Sequence, residues 1–187
     1  MALLASVTKQ GYVLDKVKAT FVSNDTKEAK VYNVAFNSTN NQEPVGSYTK
    51  AWTNISDGIT YEVANFNNSN NDWAYIKCGS KKAASVASIA TKTALPEAIG
   101  KASLTIDSMA KNYVNSIKLI VSSDAAFGET SIIETHTLDI SKNIAGKVDV
   151  TIENPTANAF YKWEFDCKKA SSNGVIQVSA LSFTEAI

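Results

Sequence analysis

The chain has 187 residues, 44% of them hydrophobic and 19% charged, and its basic and acidic side chains cancel to a formal net charge of zero. That length supports one domain with a full core. The charge balance argues against nucleic acid as the main partner, which calls for a basic excess or stripe. Arginine does not occur, so bidentate clamps on phosphate or carboxylate are not on offer.

The opening MALLASVTKQ has a short apolar run cut by Lys9 and Gln10. A secretory signal needs an unbroken apolar stretch of about 7–15 residues, and a membrane span needs roughly 20. The expectation is a soluble protein without an export signal of its own, and without a membrane partner. Two strands are predicted at residues 17–22 and 31–36. A polar stretch at 37–47, holding Pro44 and Gly46, reads as a linker. These features divide the chain into an N-terminal arm or hairpin, 1–46, and a domain, 47–187.

From there period-two patterns dominate, the mark of strands with one wet and one buried face. Residues 58–66 (GITYEVANF), 73–78 (WAYIKC) and 84–91 (ASVASIAT) read as strands. Residues 95–100 (LPEAIG) read as a short helical turn, with proline early and glycine at the end. In residues 101–107, Ala102, Leu104 and Ile106 share a face. In 115–123 the inward set is Ile117, Leu119 and Val121. Residues 131–140 (SIIETHTLDI) form another strand, and 146–154 place Val148, Val150 and Ile152 inward. In 160–169, Tyr161, Trp163, Phe165 and Cys167 oppose Lys162, Glu164, Asp166 and Lys168. In the last strand, 174–183, apolar parity breaks at Ser179, which predicts a bulge or an edge position. Gly-, Asn- and Pro-bearing turns separate the runs, at 56–58, 67–71, 78–80, 154–155 and 172–174. Many short strands at this spacing predict an all-β, antiparallel sandwich.

Groups able to do chemistry are sparse. His136 is the one histidine, on a strand and with no second ligand at metal-binding spacing. No nucleophile elbow, phosphate loop or dinucleotide turn occurs, and no catalytic residue or metal ligand is expected. Asp57, Asp72 and Asp124 could join carbonyls around a structural calcium, although each is more simply a turn former; no other cofactor is expected. Cys78 and Cys167 are read as buried free thiols, with a disulfide as the alternative. The sequons at Asn24, Asn37, Asn54 and Asn67 follow from the abundance of asparagine.

The stretch NFNNSNNDWAYIKCGSKK, residues 65–82, packs asparagines against two aromatic rings and several lysines. If Ala74, Ile76 and Cys78 face the core, then Trp73, Tyr75 and Lys77 stand outside beside the asparagines. Such a platform suits sugars, because rings pack on C–H faces and amides bond hydroxyls. It suits a protein interface equally. Alternatively the rings turn inward and the asparagines only build a turn. The candidate ligand-binding set is Trp73, Tyr75, Asn67, Asn68, Asn70, Asn71 and Lys77.

Residues 47–187 resemble the galactose-binding-like jelly-roll modules of gut-bacterial surface proteins and of the virions of their phages. The points of likeness are NSIKLIVSSDAAF, similar to the strand and S-x-D hairpin of those modules, and FYKWEFDC with NGVIQVSALSF, similar to their closing strand pair. The resemblance implies a jelly-roll sandwich and a non-enzymatic protein. Its leading implication is a phage virion structural protein of the head-decoration, auxiliary-capsid, fibre or tail type. Such a protein would be assembled in the host cytoplasm, with other virion proteins and further copies of itself as partners. The alternative is a carbohydrate-binding module that uses the aromatic and asparagine surface.

Overall fold

A computed structural model describes residues 27–187. They form two antiparallel sheets packed face to face. The predicted strand at 17–22 lies outside the described residues. The strands are β1 (Val31–Ala35), β2 (Ala51–Ser56), β3 (Ile59–Ala64), β4 (Ile76–Cys78), β5 (Ser85–Thr91), β6 (Ile99–Met109), β7 (Val114–Ser122), β8 (Ile132–Thr137), β9 (Gly146–Thr151), β10 (Phe160–Cys167) and β11 (Ile176–Glu185). One sheet runs β1-β11-β6-β9, with β4 also on β11; the other runs β2-β3-β5-β10-β7-β8. The expected all-β sandwich is therefore observed.

Alternation builds the core. Tyr161, Trp163, Phe165 and Cys167 on β10 face Ala102, Leu104 and Ile106 on β6 and Val178, Leu181 and Phe183 on β11, and all are buried. Phe66 meets Phe165 edge-on at 5.3 Å, and Tyr161 meets Phe183 at 5.0 Å. These are favourable ring geometries beyond their burial. The parity break at Ser179 is a bulge, because the β11–β6 register shifts between Val178 and Ala180.

Three local expectations need correction. Residues 95–100 form no helical turn. Leu95 pairs with Ala159 as an isolated bridge, Ala98 O accepts the Ala186 N–H at 2.8 Å, and β6 begins at Ile99. The backbone groups a helix would use are already bonded across the fold. The expected strand at 73–78 shortens to Ile76–Cys78, and Ala74 is exposed. β2 was not foreseen, because its inward face alternates Trp52 with a buried asparagine, Asn54.

The polar stretch at 37–47 is no free linker. Asn37 Oδ1 accepts the Thr39 and Asn40 N–H groups, and Asn41 bridges to Asn54. β1 pairs with β11 from Val31↔Thr184 to Ala35↔Ala180, placing Tyr32, Val34 and Phe36 in the core with Val45. Residues 31–45 thus pack as part of the sandwich.

Candidate functional site

Three connections meet at one corner of the sandwich: residues 46–49 before β2, 79–85 between β4 and β5, and 170–174 before β11. Hydrogen bonds stitch the last two together. Ala170 N–H donates to Ser80 O at 3.0 Å and Gly174 N–H to Gly79 O at 2.9 Å. Lys81 N–H donates to Asn173 Oδ1 at 3.0 Å. Gly79 has φ +84°, and a Cβ there would meet Val175 at 2.6 Å, so both torsion and space require glycine. Between the loops lies a cavity of about 450 Å³, lined among others by Ser47, Tyr48, Thr49, Asn67, Lys82 and Asn173.

The aromatic stretch does not line this cavity but adjoins it through Asn67, which lines it and pairs with Lys77. Ile76 and Cys78 point into the core, while Trp73, Tyr75 and Lys77 are half-buried on the outside. Trp73 and Tyr75 stack at 5.5 Å with 30° between ring planes. Lys77 Nζ lies 4.3 Å from the Trp73 ring centre and 5.3 Å from that of Tyr75, within cation–π range. Gly174 has φ +80°, and a Cβ there would fall 2.7 Å from Lys77 Cδ and 3.5 Å from Tyr48 Oη. The lysine stem therefore crosses bare backbone beside the Tyr48 hydroxyl, which links platform and cavity. Burial raises the Tyr48 phenol above its ordinary pKa, with Cys78 and Tyr75 nearby adding to the effect. Tyr48 accordingly stays a neutral hydroxyl, able to donate and accept.

The asparagines divide by role. Asn67 lines the cavity and is only 7% exposed. Its backbone pairs with Lys77 in both directions, at 2.8 and 2.9 Å. Its Oδ1 takes the Ser69 N–H at 2.6 Å, which leaves the side-chain NH₂ as its donor for a ligand. Asn68 is fully buried. It accepts from Val45 N–H at 2.8 Å and Asn71 N–H at 3.2 Å, and donates to Glu43 O at 2.7 Å. That is a structural post, not a ligand contact. Asn70 and Asn71 have φ of 56° and 74°, left-handed torsions that asparagine tolerates. They shape a turn, with Asn70 exposed beside Gly46. The structure thus gathers Trp73, Tyr75, Lys77 and Asn67 at the corner and assigns Asn68, Asn70 and Asn71 to holding it. Tyr48, Lys82 and Asn173 were missed: they are distant in sequence, and no pattern joins them.

The other candidates lie elsewhere. His136 faces inward on β8, with Nε2 3.3 Å from Glu134 Oε2. Asp57 caps the Asn33 N–H at 2.7 Å, and Asp124 accepts from Ala126 N–H at 2.7 Å. Among the described residues no three His, Cys, Asp or Glu side chains gather where a metal ion could sit. Cys78 and Cys167 are fully buried free thiols that meet between the sheets; burial, then the hydrogen bond to Cys167, pushes the Cys78 thiol up. Among the described residues no helix is long and apolar enough to cross a membrane.

Compared with known proteins, the sequence matches no family profile, and no curated protein is similar enough to count as a relative.

Proposed function

We propose that the chain is a non-catalytic recognition module that binds glycans at the corner formed by Tyr48, Asn67, Trp73, Tyr75, Lys77 and Asn173. The observation that carries this reading is a stacked aromatic pair set near a hydroxyl- and amide-lined cavity of about 450 Å³, with Asn67 and the Lys77 stem between them. Sugar recognition asks for both parts: an apolar face for C–H groups and fixed donors and acceptors for hydroxyls. A glycan array probed with the full chain and with Trp73→Ala tests it. The reading expects binding that the substitution removes while the circular dichroism spectrum is kept. Equal binding by both proteins would defeat it.

A second reading, a phage virion component acting by assembly, draws support from the likeness to jelly-roll virion modules and from the edge strand β2. That strand has no charged side chain and no proline, and Ile55 on it is 52% exposed. Uncharged edges invite pairing unless a partner covers them. Light scattering on the full chain and on Ile55→Lys tests this reading. It expects an oligomer that dissociates on substitution, and a monomer in both cases would remove it.

A further inference from the structure

We infer that the glycan this corner accepts is acidic, carrying a carboxylate or sulfate on the sugar. The inference rests on the glycan reading and specifies its ligand class.

The charge around the corner is one-sided. Residues 65–85 hold three lysines, Lys77, Lys81 and Lys82, against one acid, Asp72, a local excess of two positive charges in a chain whose total is zero. Lys82 lines the cavity, and no Asp or Glu lines it. None of the three lysines joins a salt bridge among the described residues. Elsewhere lysines do find acids, as Lys30 does with Glu97 at 3.1 Å and Lys162 with Glu164 at 3.4 Å.

Lys77 is half-buried and held in place. Its ammonium sits over two rings and its stem lies on Gly174. A lysine fixed in place over two rings is pre-positioned, so an anion beside it loses less side-chain freedom on binding than at a free surface lysine. Asn67 adds an independent sign. It is more than nine-tenths buried, lines the cavity and has one acceptor position of its oxygen taken by the Ser69 N–H. Toward a ligand it offers N–H donors, which suit an anion's oxygens. One cation, Lys82, and the Asn67 donors thus line the space, with Lys77 and the stacked pair on the neighbouring segment, an arrangement that suits an acidic sugar ring.

Native gels containing polygalacturonate or a neutral galactan, run with the full chain, decide the matter. The expected result is retardation by polygalacturonate and little by galactan. Lys82→Gln, an exposed and unpaired position, should weaken the acidic interaction about five- to tenfold, as should raising salt from about 50 to 300 mM. Retardation by galactan alone would overturn the acidic preference and leave the glycan reading standing. Retardation by neither polymer, with no glycan bound on the array, would overturn both. Abolition of polygalacturonate binding by citrate at matched ionic strength would reveal a site for simple anions and also overturn the inference.

Discussion

Asn68 Oδ1 accepts the Val45 N–H at 2.8 Å across 23 residues of sequence, and both residues are buried. The same side chain holds Glu43 O and Asn71 N–H. Asn68→Ala therefore strands two backbone groups, the Val45 N–H and Glu43 O, while the Asn71 N–H keeps its bond to Asn68 O at 3.0 Å. At about 1–3 kcal/mol for each buried group left unpaired, partly relieved by water, the expected loss of stability is roughly 2–4 kcal/mol. Asn70→Gly keeps the left-handed torsion at an exposed site and should stay within about 0.5 kcal/mol of the parent. Urea unfolding of the two variants checks the contrast, and equal effects would contradict the division of roles.

A chain starting at Ser47 should not fold cooperatively. It lacks Tyr32, Val34, Phe36 and Val45, four buried side chains. At about 1.5–3 kcal/mol each, their loss removes roughly 6–12 kcal/mol, comparable to the whole stability of a typical domain. It also uncovers the β11 edge that β1 pairs. A sharp thermal transition in the shortened chain would show that the first strand is dispensable.

The two thiols should be silent in the folded protein. Cys78 and Cys167 are fully buried and adjacent, and only an exposed thiolate reacts quickly with a thiol reagent. Titration should find almost none in native buffer and both of the two cysteines in denaturant. Rapid native labelling would contradict the packing of β4 against β10.

Stability should fall at both ends of the pH scale for different reasons. The Tyr32 hydroxyl, foremost, and the Lys30 ammonium hold Glu97 below its ordinary pKa. Ser103 does the same for Asp149, as do Lys27 and the Lys30 N–H for Glu185. A carboxyl depressed by folding stabilises above its unfolded pKa and loses that contribution as pH falls through the folded value. The melting temperature should thus be level near neutrality and drop below about pH 4.5. Glu97→Gln should flatten part of that drop. At the alkaline end, burial pushes Tyr161 from 10.0 up to about 12. The unfolded phenol ionises first, so stability should decline as pH rises above 10.

Much of the fold was legible because alternation is a local signal. Tyr161, Trp163, Phe165 and Cys167 declare their shared face within eight residues, and Ser179 betrays its bulge by breaking parity. β2 was hidden because Asn54, a polar residue, occupies a core position where the pattern asks for an apolar one. The tie of residues 37–45 was hidden because the stretch looks like a polar linker, and only the distant Asn68 shows what it is tied to. At the corner, sequence alternation separated Trp73, Tyr75 and Lys77 from Ile76 and Cys78. It could not distinguish Asn67 from Asn68, adjacent residues of one kind, since their partners come from other segments. Tyr48, Lys82 and Asn173 reach the cavity only through the meeting of three loops, which no local pattern records.

The indole ¹⁵N–¹H spectrum tests the central claim most directly. Three tryptophans give three signals. Trp52 donates from Nε1 to Phe66 O at 2.9 Å, Trp163 is fully buried, and Trp73 stands at the corner. Titration with a pool of neutral and acidic oligosaccharides should move the Trp73 signal in a saturable way and leave the other two in place. No movement of Trp73, or movement of Trp52 or Trp163 in its stead, would contradict the claim that this corner is the binding surface.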